Sequence, residues 1–131
     1  MTDPKTPAQH LSDAGDAVRA FNHASRNASV KDWQFPSHAY DALGNLSYLV
    51  QMLGQAVEQS ARPVMRTHEH GRVRIDGNGD ADAKVMELVL AREDAVAAAA
   101  ALTDAVQRMH NASSPMGLDT TGMPEFEDDD A

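Results

Sequence analysis

The sequence predicts an all-α fold, and three observations carry that prediction. Ala, Leu, Met, Gln and Glu dominate the 131 residues while aromatic residues make up only 5%, which favours helix over sheet. Apolar residues recur on alternating three- and four-residue steps in two long segments, as one face of a helix requires. The β-branched and aromatic residues that fill strands are sparse outside a few places. The predicted framework is a long antiparallel helical hairpin, roughly Ser37 to Ala61 and Asp82 to Asn111. It is joined by an N-terminal third helix, a short β-hairpin that the 62–80 connection could form, and a disordered acidic C-terminal tail. In domain terms this is a flexible tail over 1–7, a helical bundle over 8–112 and the acidic tail over 113–131.

Taken in order, Pro4 and Pro7 loosen the start of the chain. Leu11, Ala14, Val18, Phe21 and Ala28 then fall on one helical face, with Ser25 in the gap, so a first helix is expected over about Ala8 to Ala28. Phe35 precedes Pro36 and is pushed toward extended backbone, which separates this helix from the next. Ser37 reads as the N-cap of the second helix and Asp41 complements its positive end. The series Ala39, Leu43, Leu46, Val50, Leu53, Val57 is the strongest periodic signal, widened by Ala42, Leu49 and Ala56, and Pro63 is expected to close it. The stripe of the third helix is Val85, Leu88, Val89, Ala95, Val96, Ala99, Leu102, Val106 and Met109, interrupted by Arg92. The Ala97 to Ala101 run allows close helix approach. At about 1.5 Å per residue the two arms span roughly 36 and 45 Å, lengths that can lie side by side. The connection between them exceeds the usual two to eight residues of a bundle. Arg72 to Ile75 alternates polar and apolar, the pattern of a strand.

Composition also limits function. With no cysteine, disulfides, thiolate nucleophiles and cysteine-ligated metals are removed together, and a reducing cytoplasmic setting is expected. No run reaches the roughly 18 apolar residues of a membrane span, and no secretory signal is expected at the polar start. The net charge of −9 opposes general attraction to phosphate backbones or anionic lipid. No P-loop, dinucleotide fingerprint or nucleophile elbow occurs, so no enzyme and no cofactor are expected.

Five features could still carry binding. Asp76, Asn78, Asp80, Asp82 and Glu87 follow the oxygen-ligand spacing of an EF-hand calcium loop, although Ala81 stands where that loop needs glycine. A Gly-Asn turn with aspartates capping the next helix accounts for the same residues. His68 and His70 lie two residues apart, on one side of an extended segment, and could ligate zinc or nickel. Arg62, Arg66, Arg72 and Arg74 place four of the eleven basic residues in one short stretch, where they could meet phosphate, an acidic partner or the acids around Phe126. Solubilising an exposed loop would serve equally as their reason. Trp33 and Phe35 precede the second helix, as a plug at the bundle end or as an anchor for a partner. Tyr48 and Met52, with Met86 and Leu90, lie off the main stripes and suggest a second apolar face.

The pair of amphipathic helices is broadly similar to the small Trp-x-Gly hairpin proteins of type VII secretion. The resemblance is architectural: their turn is replaced by Asp76-Gly-Asn-Gly, and Trp33 precedes the hairpin. That family's secretion function is therefore not carried over. The expectation is a non-enzymatic interaction or assembly protein, an adaptor, scaffold or structural subunit, acting on a protein partner or on itself as a homo-oligomer. The alternatives are a metal-binding regulator through Asp76 to Glu87 or His68 and His70, and a local nucleic-acid binder through Arg62 to Arg74.

Overall fold

A computed structural model describes residues 3–27 and 30–125. The fold is all-α, with no strand among the described residues. Five helices follow in order: α1 Pro7–Ala24, α2 Pro36–Gln51, α3 Leu53–Ser60, α4 Arg62–Glu69 and α5 Ala81–Ser113. No helix among the described residues is long and apolar enough to cross a membrane. The chain forms two compact units, residues 1–39 with 117–131, and residues 40–116.

In the first unit, α1 opens with a full capping box. Thr6 accepts from the Gln9 N–H and the Gln9 side chain accepts from the Thr6 N–H, while Pro7 takes the first helical position, where no N–H is needed. The helix stops at Ala24, four residues short of the expected Ala28. Beyond it the Trp33 indole N–H donates to the Ser25 carbonyl at 3.0 Å, satisfying an acceptor freed at the helix end. The Trp33 ring meets Phe21 edge-to-face at 5.6 Å. Leu11, Val18 and Phe21 remain exposed, and α1 has no buried residue. The start of α2 differs from the sequence expectation: Pro36, not Ser37, begins the helix. The cap comes from His38, whose Nδ1 accepts from the Gln34 and Phe35 N–H groups, each at 3.1 Å. At the other end of the chain Asp119 accepts from the Thr121 N–H at 3.0 Å. Hydrogen bonds from the Thr121 side chain and backbone hold the Asp119 carboxyl below its ordinary range.

In the second unit the first arm is a chain of three short helices. Its α-helical ladder breaks at Met52, where the Met52 N–H turns to the Leu49 carbonyl at 3.2 Å, an i to i−3 bond. Pro63 does not end the arm as expected. It occupies the first turn of α4, where proline is tolerated, and the helical path continues to Glu69. The β-hairpin considered for 62–80 therefore does not form, because its first half is helix. Residues 72–75 keep the expected alternation, with Val73 and Ile75 half-buried and Arg72 and Arg74 exposed, but they lie outside any strand. Helix α4 closes in a Schellman motif: the Gly71 N–H bonds His68 O at 2.9 Å and the Arg72 N–H bonds Thr67 O at 3.1 Å. Gly71 has φ +65°, which glycine adopts at no steric cost. Asp80 then caps α5 by accepting from the Ala83 N–H at 3.3 Å.

Contacts between this arm and α5 run in opposite chain directions. Tyr40 stacks on His110 with ring centroids 4.4 Å apart, Ser47 bonds Gln107, Thr103 bonds Val50 and His68 bonds Asp82. The core between them is narrow. Its buried apolar residues among those described are Val50, Ala61, Val85, Ala99 and Val106, with Ser47 and Ser113 buried beside them. Ser113 thus belongs to the helix and not to the C-terminal tail that the sequence suggested.

Two glycines should respond oppositely to alanine. Gly71→Ala forces a Cβ into a left-handed backbone and should cost roughly 1–2 kcal/mol of stability. Gly15→Ala, inside α1 with open space around it, should stabilise that helix by roughly 0.5–1 kcal/mol. Denaturant unfolding followed by circular dichroism measures both. Because the Asp119 carboxyl is held low, the Asp119–Thr121 turn is favoured above the ordinary aspartate range and is lost as pH falls through the lowered value. The Thr121 amide resonance should therefore titrate with a midpoint below that of an ordinary aspartate.

Candidate interaction surface

The pairing of the two arms is set by polar groups placed within an alanine-rich seam. Ser47 Oγ donates to Gln107 Oε1 at 2.8 Å and accepts from Gln51 Nε2 at 3.1 Å. Gln107 Nε2 in turn donates to Asn111 Oδ1 at 3.0 Å. Thr103 Oγ1 lies 2.8 Å from its own-helix Ala99 carbonyl and 3.1 Å from the Val50 carbonyl of the other arm. Val50 is two residues before the break at Met52, so the hydroxyl reaches the facing backbone beside the interruption. A side chain inserted at a helix ladder is one recognised cause of such a break. Gly44 makes room for His110 at the end of the seam: a Cβ there would stand 3.2 Å from His110 Nε2.

These contacts fix which way each helix faces, and helical periodicity then places the remaining residues. One side of the paired arms carries Gln51, Gln55, Glu58, Gln107 and Asn111. Among the described residues no buried side-chain nitrogen or oxygen lacks a partner, so the polar groups within the seam are satisfied. The other side carries Leu46 and Leu53 from the first arm and Leu102 and Met109 from α5. They are 40%, 36%, 46% and 55% exposed. From Tyr40 to Ala61 no charged residue falls on this side, and from Leu88 to Ser113 periodicity brings only Asp94 to its margin, one turn from Ala91 and Ala98. Ala39 and Ala42, Ala91, Ala95, Ala98 and Ala105 fill the space between the large residues.

The sequence stripes assigned Leu46, Leu53, Leu102 and Met109 to the contact between the arms. The structure turns both helices so that Ser47, Thr103 and His110 enter the seam and these four stand at its edge. The signal that would have located them is the width of the stripes, which exceeds what a two-helix contact can cover. Polar residues at seam spacing were the second clue.

The other candidate residues are dispersed. Tyr48 is 68% exposed and falls on the polar side. Met52, at the helix break, and Met86 and Leu90 on α5 are also exposed. Periodicity places Met86 and Leu90 away from the seam near the opposite end of the unit from Tyr48, so the four do not make one face. Trp33 is half-buried and bonded within the first unit, while Phe35 is exposed and packs against the His38 ring at 5.4 Å. Phe126 lies outside the described residues.

Arg62 and Arg92 line an open groove of about 580 Å³ with Glu58, Glu93, Met65 and Val96. Two guanidinium and two carboxylate groups share that groove, so it has no net charge to attract a phosphate backbone. Arg66 stands one helical turn from Arg62, and Arg72 and Arg74 follow in the extended segment. None of these arginines forms an ion pair among the described residues.

The calcium-loop residues point to separate tasks. Asp80 caps α5, Asp82 meets His68 Nε2 at 2.9 Å, and Glu87 pairs with Lys84 at 3.0 Å. Asn78 and Gly77 have positive φ in the turn itself, and a Cβ on Gly79 would stand 2.6 Å from Ile75 Cγ2. Among the described residues no group of three His, Asp or Glu side chains comes together as a metal site. His70 is the C-cap of α4.

No family model, curated protein or solved structure matches the chain.

Thr103→Val keeps the side-chain volume and removes the hydroxyl between the arms. It should lower stability by about 1 kcal/mol, measured by denaturant unfolding, with the midpoint falling and the denaturant slope unchanged.

Proposed function

We propose that this chain is a non-enzymatic helical interaction protein, an adaptor, scaffold or structural subunit, that contacts its partner through the side marked by Leu46, Leu53, Leu102 and Met109. The observation that supports it is the asymmetry of the paired arms. One side is polar and charged, and the other leaves four large apolar side chains in water with no charge among them. A contiguous row of large exposed apolar side chains is a mark of a contact site, whereas such residues scattered singly are ordinary on a surface. A helix laid along two helices buries such a row at three- and four-residue spacing. Arg66, Arg72 and Arg74, exposed at the end of the first arm, add a local positive contact for an acidic group on the same partner.

The test places a photo-crosslinking amino acid at Leu102 or, on the polar side, at Gln55 of the full chain in its native cells. Crosslinks to protein should form from position 102 and be several-fold weaker from position 55. Equal labelling from both positions, or none from 102, would overturn the reading.

A further inference from the structure

We infer that the leucine side is occupied by a second copy of this chain, the two copies meeting about a twofold axis with their exposed leucine and methionine rows interleaved. The inference rests on the interaction-protein reading above and names its partner.

Spacing is the first support. Leu46 and Leu53 are seven residues apart on one arm, and Leu102 and Met109 are seven apart on the other. A twofold rotation brings each row opposite a row of the other copy with the same interval, about 10 Å at 1.5 Å per residue. The surface is then self-complementary, as an isologous contact demands. The alanines between the large residues leave the hollows into which the opposite row fits, as knobs do in helical bundles.

Charge is the second support. The chain carries a net charge of −9, so most ways of bringing two copies together juxtapose like charges. The leucine side, where Asp94 at the margin is the one acidic residue near the row, is where two copies can meet with the least such repulsion. A strongly basic partner would instead need several acidic residues on the contact surface, and between Leu88 and Ser113 on α5 this side has only Asp94, at its margin.

Area sets the strength. The strip from Ala42 to Ser60 is about 27 Å long and about two helix diameters wide, so each copy offers on the order of 500 Å². Two such faces bury about 1,000 Å² in total, below the standard size of a stable complex. The dimer should be weak and reversible, as interfaces below the standard size are.

Sedimentation equilibrium on the full chain, from about 5 µM to about 1 mM, tests this directly. The expected result is a monomer–dimer equilibrium in that range. Leu46→Glu and Leu102→Glu, both at exposed positions, should each weaken it at least tenfold while helicity by circular dichroism is retained, and Gln55→Glu should leave it within twofold. Leu102→Gln, which removes the apolar side chain without adding charge, serves as the second variant and should weaken association several-fold. A chain that stays monomeric throughout, or a dimer indifferent to both leucine variants, overturns the inference. The crosslinking result separates the two failures. A monomer that still crosslinks to another protein from position 102 loses only the second copy, whereas one that does not crosslink there loses the interaction reading as well.

Discussion

The register between the first arm and α5 is the constraint on which the second unit depends. A seam whose buried apolar residues are Val50, Ala61, Val85, Ala99 and Val106 offers few large knobs, and small residues slide past one another at little cost. Directional contacts do what side-chain size does not. The Ser47–Gln107 bond and the Thr103 hydroxyl on the Val50 carbonyl act near the middle. Tyr40 on His110 and His68 on Asp82 hold the two ends. A one-turn slip would break all four and leave Ser47, otherwise buried, without its cross-arm partner, a loss of roughly 1–3 kcal/mol for that group alone.

The same choice of polar seam residues produces the sidedness of the unit. Ser47, Thr103 and His110 occupy places that leucine or methionine would take in a wider core. The apolar residues that flank them are displaced to one edge, and the glutamines and asparagine to the other. Thin packing and an exposed leucine row are therefore two results of one arrangement. The exposed row costs stability in an isolated chain, since burying each such side chain would contribute about 1.5–3 kcal/mol if complete. That unspent burial is what a partner would supply.

Much of this was legible in the sequence, and the limits have particular causes. The all-α class and the long helix from Ala81 followed from periodicity, with the Gly-rich turn before it and Asp80 as its cap. The continuation through Pro63 was missed because proline is read as a stop, whereas in the first turn of a new helix it has no hydrogen bond to lose. The alternation of Arg72 to Ile75 was visible, but alternation alone does not provide a partner strand. Trp33 was read as a plug or anchor ahead of the second helix, whereas its indole closes the end of α1 on the Ser25 carbonyl, next to Asp32 with φ +62°. The exposed leucine and methionine row was hidden in plain view, because its four residues are among the members of the predicted stripes. Only the facing contacts reveal that the helices are rotated away from them.

The scarcity of charge along the leucine side also bears on how the molecule would answer to ionic strength. Contacts made by Arg66, Arg72 and Arg74 lie in solvent and fade as salt shortens the screening length, to about 8 Å at physiological strength. An apolar contact has little there to screen, and salt would ease the repulsion between two acidic chains that approach along it. The two surfaces therefore belong to different regimes: dilute salt favours the arginines, concentrated salt favours the leucines, and a change of medium alone could alter which of them governs the company this protein keeps.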